Sequence, residues 1–295
     1  MTYIIHIGYP KTGTTWLQKE LFPKVKNYTV LIKPEITRVL VKKTMEYKKW
    51  KTTFTNLSNE NLIISDEDLV TKKVEHITPQ EKAKRLYEIF PQAHIVIFIR
   101  EQKNIIESAY SQYVKSGGTL KFKEYLTLLK STRKIYYWNY LRIINFYASL
   151  FGKKRIHIFL YESLKNEPDF VRKFSQIFNF ILSSKPNIKK HRNLALTPFV
   201  LNIWCFLNQF TKRRLYSNFL YKKYYFHVPA LFSLSKYFCL FLNFVIKKVF
   251  KNPGRLKIPE KTGELLDKVF EESNLQLKEK YKVNQILKYN YAVKK

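Results

Sequence analysis

Residues 3–16 read YIIHIGYPKTGTTW, and this stretch decides the fold. Residues 3–7 form a short, mainly apolar run that is followed by Gly8 and Pro10, a pattern that predicts a buried β-strand. A helix is predicted from about residue 14 to residue 21, ending near Pro23. A strand, a loop with two glycines and a helix, in this order, are typical of the first unit of a parallel α/β sheet.

The same alternation continues along the chain. Further apolar strands are predicted at residues 62–64, 94–99 and 155–160, and helices at residues 78–90, 104–115 and 135–150. Thr78 and Pro79 suit the cap and first turn of the helix at 78–90. Residues 24–60 give no clear assignment. Strands that alternate with helices predict a parallel sheet covered on both faces.

The C-terminal part has a different pattern. Residues 198–250 are apolar and basic and predict two or three helices, and residues 264–281 predict a final amphipathic helix. We therefore expect an α/β fold, a P-loop-type parallel β-sheet flanked by helices with a helical C-terminal extension. The prediction is a single domain over residues 1–295, with a core at about 1–197 and an extension at about 198–295.

The predicted strand ends carry polar residues. In a parallel α/β sheet, ligands bind beyond the carboxyl ends of the strands. The residues at those ends are the loop 8–15, Asp66 and Glu67, Arg100, and Tyr161. Because these ends meet at one edge of the sheet, we expect the segments to form one site.

The loop after the first strand is suited to an anion. Gly8 and Gly13 are separated by four residues, as in a P-loop, and backbone N–H groups and the helix N-terminus can cradle a phosphate there. In nucleoside-triphosphatases a lysine directly follows the second glycine. Here Thr14 occupies that position and the lysine is Lys11. The sequence thus predicts a 5′-phosphate-type anion and no obligatory metal.

A second anion site is predicted at the strand that ends in Arg100. A guanidinium at a strand end can direct two N–H donors to a phosphate. Ser108, eight residues further on in the next predicted helix, adds a hydroxyl.

The stretch YPKTGTTW closely resembles the 5′-phosphosulfate loop of the sulfotransferases, which use 3′-phosphoadenosine-5′-phosphosulfate (PAPS) as donor. The resemblance implies that Lys11 contacts the bridging oxygen and the sulfuryl group. It implies that Thr12, Gly13, Thr14 and Thr15 bind the 5′-phosphate, and that Trp16 stacks on adenine.

Other segments resemble the same family. IVIFIREQKNIIESAYSQY, residues 95–113, is similar to its 3′-phosphate motif, with Arg100 and Ser108 as the implied contacts. YESLKNEP is similar to a strand end whose tyrosine, here Tyr161, lies near adenine. KKHRNLALTP resembles a basic loop over the nucleotide and implies Arg192. FEESNLQL, residues 270–277, resembles the C-terminal helix of bacterial members, whereas residues 24–60 and 205–255 depart from the family pattern.

Transfer of a sulfuryl group needs a base to remove a proton from the acceptor. The family resemblance implies a glutamate in this region for carbohydrate sulfotransferases and a histidine for cytosolic ones. We select Glu67, at a predicted strand end, as the catalytic base. Asp66 and His76 are the alternatives.

The charge balance bears on partners. Lys and Arg total 54 against 22 Asp and Glu, a formal net charge of +32, which favours anionic partners. The overall pattern resembles bacterial polysaccharide sulfotransferases, so a carbohydrate or lipid-linked saccharide acceptor is expected. The mixture of aromatic and basic residues at 199–250 would suit peripheral contact with an anionic membrane, although a helical subdomain packed on the core is the preferred interpretation.

The cysteines, the N-terminus and the longest apolar run indicate where the protein is located. Cys205 and Cys239 are expected to be buried thiols, and the N-terminus lacks the pattern of a signal peptide, so a cytoplasmic location is expected. Contact of residues 199–250 with an anionic membrane would place the enzyme peripherally at the inner face of that membrane. The apolar run 231–249, interrupted by lysines and an asparagine, is expected to be too short to span a membrane. The alternatives are a P-loop kinase or nucleotidase and a basic nucleic-acid-binding protein, although no nucleic-acid motif is present.

Overall fold

The computed structural model describes residues 1–33, 60–70, 77–188, 195–211, 229–250 and 253–294. The chain divides into two compact units. The first consists of Met1–Glu101, Asn139–Arg192 and Phe270–Lys295, and the second consists of Gln102–Trp138 and Asn193–Val269.

Five parallel strands form a sheet in the first unit. They are β1 (Tyr3–His6), β2 (Thr29–Ile32), β3 (Leu62–Ser65), β4 (His94–Ile99) and β5 (Ile156–Leu160). Their order across the sheet is β2-β3-β1-β4-β5. The first strand of the sequence is therefore the central strand, with Ile5 opposite Ile64 on one side and Ile95 on the other. This order places the loop after β1 at the middle of the sheet edge.

Ten α-helical segments are present in the described residues. They are α1 (Thr14–Trp16), α2 (Pro79–Ile89), α3 (Gln102–Lys115), α4 (Phe122–Ser131), α5 (Tyr140–Phe151), α6 (Tyr161–Asn166), α7 (Phe170–Ile177), α8 (Pro198–Thr211), α9 (Pro229–Val249) and α10 (Glu260–Tyr281). Together with the parallel sheet they confirm the predicted α/β class.

One face of the sheet carries an aromatic core. Ile4, Ile63 and Val96 point to this face, as does Phe98, and they pack with Trp16, Leu17, Phe170 and Phe174 from the adjoining helices. Successive residues of a strand point to opposite faces, so this set fixes which residues of β1 and β4 face α7. On the other face of the sheet, α5 contacts β4 and β5 and also packs against α2.

Most of the predicted elements are present, but several differ, and helices α4, α6 and α7 were not predicted from the sequence. The predicted helix at 14–21 consists of the short α1, a wide π-helical turn at Leu17–Leu21 and a 3₁₀ turn at Phe22–Lys24. The predicted helix at 135–150 is divided into a 3₁₀ turn, Lys134–Trp138, and α5. Strand β2, which sequence reasoning missed, is a short edge strand with exposed and half-buried residues. An edge strand of this length carries little hydrophobic signal.

The start of α2 forms as predicted. The Thr78 hydroxyl accepts a hydrogen bond of 3.1 Å from the backbone N–H of Glu81, and Pro79 occupies the first turn. This cap satisfies one of the N–H groups that a helix leaves without an internal partner. Cys205 and Cys239 are both buried free thiols, also as predicted.

The expectation about the apolar run at 231–249 is wrong. Within the described residues, Ala230–Val249 forms one helix long and apolar enough, by length and composition, to cross a membrane. That expectation counted four interruptions: Lys236, Asn243, Lys247 and Lys248. The last two lie in the final turn of α9, so only Lys236 and Asn243 interrupt the apolar stretch before them.

Candidate active site

The loop between β1 and α1 has an unusual backbone. Lys11 has φ 71° and Gly13 has φ 93°, so both are in the left-handed region. The carbonyl of Gly13 accepts hydrogen bonds of 2.9 Å and 3.1 Å from the N–H groups of Trp16 and Leu17, which starts the helix. Left-handed residues interleaved with helical ones turn successive N–H groups toward one concave side, a geometry that binds anions.

Gly13 is required by its surroundings as well as by its backbone. A Cβ atom at this position would lie 2.7 Å from Cδ2 of Leu164 and 3.3 Å from Cδ2 of Tyr161. Both residues belong to α6, directly after β5. The loop between β1 and α1 is therefore packed tightly against α6, the helix that contains the predicted site residue Tyr161.

A buried histidine lies under the loop. His6 is fully buried, and its Nδ1 lies 2.8 Å from the hydroxyl of Ser65. Burial lowers the pKa of His6 to about 3, so the imidazole is neutral. Two buried atoms, Nε2 of His6 and Oγ1 of Thr14, have no hydrogen-bond partner in the described part of the chain. A Cβ atom at Gly8 would be 2.5 Å from this Nε2 and 3.4 Å from this Oγ1.

Arg100 connects the two predicted anion sites. Its guanidinium donates a hydrogen bond of 3.3 Å to the carbonyl oxygen of Lys11 and lies 4.8 Å from the ring centroid of Tyr161. Its backbone carbonyl accepts a hydrogen bond of 2.6 Å from the hydroxyl of Tyr140. Stacking on an aromatic ring holds a guanidinium in place and leaves the N–H groups at its edge available.

A half-buried carboxylate, that of Glu162, lies beside Arg100. Glu162 accepts hydrogen bonds of 3.1 Å from the N–H of Glu101 and 3.1 Å from the hydroxyl of Tyr291. Burial raises the pKa of Glu162, and this outweighs the opposing effect of those hydrogen bonds and of the positive charge of Arg100. Glu162 thus ties β4, α6 and the C-terminal segment together behind the arginine.

Glu67, the selected base, lies directly after β3. Its carboxylate forms an ion pair of 2.6 Å with Lys33 and accepts a hydrogen bond of 3.4 Å from Gln18. Burial alone would lower the pKa of Lys33, but the hydrogen bond and charge of Glu67 raise it further than burial lowers it. Gln18 also donates to the carbonyl and the hydroxyl of Ser65, at 3.2 Å and 3.1 Å. Through Gln18, Glu67 is therefore hydrogen-bonded to the π-helical turn that follows the loop and α1.

The neighbouring carboxylate has a structural role. Asp66 is 5% exposed, and its Oδ1 accepts a hydrogen bond of 2.8 Å from the N–H of Asp68. This bond caps the 3₁₀ turn Glu67–Val70. His76, the other alternative base, lies outside the described residues.

The remaining predicted site residues occupy different environments. Thr12 is fully buried, with its hydroxyl bonded to the carbonyl of Tyr9, whereas Thr15 is exposed. Trp16 is 6% exposed in the aromatic core, and its indole N–H donates to the carbonyl of Asn187. Its role in stacking on adenine stays a prediction. Ser108 is half-buried in α3, which belongs to the second unit, and Arg192 lies outside the described residues.

Sequence reasoning missed several residues of this region. His6 was the one polar residue in the first apolar strand, directly before the loop, and that position was a usable signal. Gln18 lies four residues after Thr14 in the helix predicted at 14–21, and in a regular α-helix this spacing would place both on one face. Lys33 follows the edge strand that was not predicted, so no signal could have placed it beside Glu67.

Metal ligands are not grouped in the region that the structure describes. Among those residues, no three His, Cys, Asp or Glu side chains are close enough together to hold a metal ion. The donors around the loop are backbone N–H groups, hydroxyls, a lysine and an arginine, all of which bind anions.

The comparisons with known proteins agree with this chemistry. The sulfotransferase domain family model matches residues 2–190, well over half of the chain. No curated protein sequence matches.

Two solved structures are similar to the chain. One is the crystal structure of a sulfotransferase from Alicyclobacillus acidocaldarius, with 17% identity and a TM-score of 0.49 over 65% of this chain and 87% of that one. The other is the sulfotransferase domain from the curacin biosynthetic pathway, with 13% identity and a TM-score of 0.38 over 66% and 79%. On the strength of the match over residues 2–190, the chain belongs to the sulfotransferase family.

Proposed function

We propose that this enzyme transfers a sulfuryl group from PAPS to a hydroxyl or amine of a carbohydrate acceptor and releases adenosine 3′,5′-bisphosphate (PAP). The observation that carries the proposal is the hydrogen bond from Arg100 to the carbonyl of Lys11. It joins an anion-binding loop to a second cationic group. Two adjacent anion sites suit a nucleotide with phosphates on both its 5′ and 3′ positions.

The residues present fit the phosphosulfate end of this donor. The left-handed backbone at Lys11 and Gly13 forms a concave loop, and Oγ1 of Thr14 is a buried hydroxyl without a partner in the described residues. We assign the 5′-phosphate to the loop residues Thr12, Gly13, Thr14 and Thr15, with Lys11 at the sulfuryl group.

The nucleoside end rests on a second set of residues. We assign the 3′-phosphate to Arg100 and Ser108, and adenine to the region of Tyr161 and Trp16. The support at Arg100 is geometric, because its guanidinium lies over the ring of Tyr161 and donates a hydrogen bond to the loop. Arg192 remains a proposed contact from its basic segment alone.

The chemistry follows from the side chains. Bound PAPS supplies an activated sulfuryl group whose bond to a 5′-phosphate oxygen breaks as the acceptor oxygen or nitrogen bonds to sulfur. Lys11 neutralises the negative charge that develops on that phosphate oxygen, a form of electrostatic catalysis. Glu67 accepts the acceptor proton as general base. No metal ion is required in this scheme, because the cationic side chains and backbone N–H groups supply the positive charge.

Glu67 is the better candidate for the base than its neighbour. One oxygen of Asp66 is occupied by the N–H of Asp68, and the residue is almost fully buried. Glu67 is more accessible, and the contacts from Lys33 and Gln18 hold its carboxylate in a defined orientation. A general base must be held within hydrogen-bonding distance of the acceptor group whose proton it removes.

The acceptor is proposed from the charge of the surface. A net charge of +32 attracts anionic saccharides, including surface polysaccharides and lipid-linked sugars. We propose a cytoplasmic location, with the enzyme peripheral at the inner face of the membrane, where lipid-linked saccharides are built.

The direct test is an assay with ³⁵S-labelled PAPS and a panel of acceptors. The panel contains acidic polysaccharides, neutral oligosaccharides, a glycolipid and a simple aryl alcohol. We expect label to move to a saccharide hydroxyl or amine, with one PAP formed per sulfate transferred and no effect of a metal chelator. Transfer to the aryl alcohol alone would contradict the carbohydrate assignment, and the absence of PAP formation with every acceptor would contradict the donor assignment.

A further inference from the structure

The helices α8 and α9 of the second unit expose an unusual amount of apolar surface. More than half of the large apolar side chains that are exposed in the described residues lie on these two helices or directly after α9. A soluble monomer seldom exposes large apolar patches unless they bind something. The family model ends at residue 190, before both helices, so this surface is a feature of this chain beyond the shared domain.

The polarity of α9 is inverted relative to that of an ordinary surface helix. Its buried side contains Ser235 and Asn243 together with Phe232 and Cys239. Asn243 accepts a hydrogen bond of 2.9 Å from the N–H of Thr197, and Ser235 donates one of 2.9 Å to the carbonyl of Phe232. In a helix facing water the polar residues would lie on the outer side.

The outer side of α9 is almost entirely apolar. Leu234 is 67% exposed and Phe241 is 66% exposed. These two residues lie seven positions apart and therefore share one face of the helix. The other exposed apolar residues of the same side are Leu231, Tyr237, Phe238, Leu240 and Phe244.

Helix α8 packs against α9 and also exposes large apolar side chains. Phe199, Phe206 and Phe210 are each more than half exposed. The buried side carries the polar Asn208, whose amide donates hydrogen bonds of 2.8 Å to the carbonyls of Val114 and Gly118. Both helices thus carry hydrogen-bonded polar side chains on the inner side, namely Asn208, Ser235 and Asn243, and aromatic side chains on the outer side.

The charge around these helices has one sign. Residues 198–257 contain no Asp or Glu and eleven Lys or Arg. Lys236 and Lys248 are exposed on α9 itself, and Arg255 is exposed shortly after it. Aromatic and aliphatic side chains combined with lysines and arginines, without acidic residues, are the composition of segments that bind anionic bilayers.

We propose that α8 and α9 form a docking surface for an anionic lipid bilayer, with α9 lying along the membrane interface. The outward aromatic and aliphatic side chains of α9 enter the boundary between headgroups and acyl chains, and the flanking basic residues contact lipid phosphates. The 21 residues of α9 span about 30 Å, enough for an extended contact. This docking does not depend on the proposed donor or acceptor, because it uses none of their residues.

The test measures binding of the full chain to preformed vesicles by co-sedimentation. The vesicles contain phosphatidylcholine with about 30% phosphatidylglycerol, a fraction that gives a negative surface potential, or phosphatidylcholine alone. The double variant L234E/F241E removes the centre of the outer face of α9. Because both side chains are largely exposed, the variant should fold normally, which circular dichroism and thermal stability with PAP would check.

The matched control is the double variant I181E/L287E. Ile181 and Leu287 are also exposed apolar residues, 59% and 52% exposed, but belong to the first unit. This control carries the same change of charge and a comparable loss of apolar surface.

We expect the wild-type chain and the control to bind the anionic vesicles, and L234E/F241E to bind at least about tenfold more weakly. Binding to neutral vesicles should be much weaker for all three. Equal binding of L234E/F241E and the control to the anionic vesicles would overturn the proposal, because it would mean that the net charge of the protein alone causes the binding. Absence of vesicle binding, with self-association that L234E/F241E abolishes in sedimentation velocity, would also overturn it and assign the surface to a second copy of the chain.

Discussion

The guanidinium of Arg100 donates a hydrogen bond to the backbone carbonyl of Lys11, over 3.3 Å. These residues are 89 positions apart in the chain and belong to separate strand ends. The bond follows from the sheet order, because β4 lies beside β1 and both strands end at the same edge. Its consequence is that the loop and the arginine lie side by side, as the proposed binding of two phosphates requires.

Replacement of Lys11 tests the role of the loop in catalysis. We expect Lys11→Ala to reduce kcat by about 10²- to 10³-fold, the usual effect of removing one group that stabilises transition-state charge. PAP, which lacks the sulfuryl group, should still bind. The measurement is steady-state turnover of PAPS together with PAP binding by calorimetry.

The control for Lys11 is Lys19→Ala. Lys19 is an exposed lysine on the π-helical turn that follows α1. The substitution Lys19→Ala removes the same charge near the loop and should leave kcat close to that of the wild type. Equal losses in both variants would point to a general electrostatic effect and contradict the specific role of Lys11.

Gly13 tests the packing of the loop. Gly13→Ala should destabilise the protein by about 1–2 kcal/mol for the left-handed backbone, and by about 1–3 kcal/mol more for the contact with Leu164. Gly254 is the matched control, since it has φ 75° and no atom within 4 Å of an added Cβ. Gly254→Ala should show the backbone cost alone. Equal unfolding free energies for the two variants in urea would contradict the close packing of Gly13 on α6.

Glu67 tests the identity of the base. We expect Glu67→Gln to reduce kcat by about 10²- to 10⁴-fold, the usual contribution of a general base, with little change in PAP binding. Glutamine keeps the shape of the side chain and can still meet Gln18. The measurement is kcat against pH for the wild type and the variant.

Two further variants separate the alternatives for the base. Asp66→Ala removes the cap of the 3₁₀ turn and should lower stability by about 0.5–2 kcal/mol while the folded fraction keeps its turnover. His76→Ala should retain turnover. If His76→Ala abolished activity and Glu67→Gln did not, the base would be misassigned.

His6 makes stability depend on pH. The pKa of His6 is about 3 in the folded protein, below the ordinary value of about 6.5 in the unfolded chain. As pH falls through about 6.5, the unfolded state takes up a proton that the folded state excludes, so stability falls. From pH 6.5 to 4.5 the loss of stability from this residue is about 2 kcal/mol.

The comparison for His6 is His6→Asn, which can keep a hydrogen bond to Ser65. Urea unfolding between pH 7 and 4.5 should give a shallower decline for this variant than for the wild type. The variant can differ in absolute stability without affecting the test, because only the slope reports titration. Identical slopes would show that His6 does not titrate in this range.

The sheet and the loop were predictable because each depends on local sequence. An apolar run followed by Gly8, Lys11 and Gly13 is sufficient to indicate a strand, an anion loop and a helix start. Strand ends in parallel sheets meet at one edge, so Arg100 and Tyr161 could be assigned to the same site without coordinates. The described residues bring both to the loop.

The supporting residues were harder to predict because their roles arise from long-range packing. Lys33 reaches Glu67 only because β2 pairs with β3, and the exposed β2 gave no hydrophobic pattern. Nothing in the sequence alone shows that the half-buried Glu162 lies behind Arg100. The length of the apolar helix α9 was underestimated because two of the four polar residues counted against it, Lys247 and Lys248, lie at its end.

The central claim is that the site binds a nucleotide with both 5′ and 3′ phosphates, and thermal unfolding with PAP tests it most directly. PAP at about 100 times its Kd should stabilise the wild type by about 2.7 kcal/mol. ADP, with or without magnesium, should give a much smaller shift, and Arg100→Ala should lose most of the shift with PAP relative to its own ligand-free state. Equal shifts with PAP and ADP, or a shift with PAP that Arg100→Ala retains, would contradict the account.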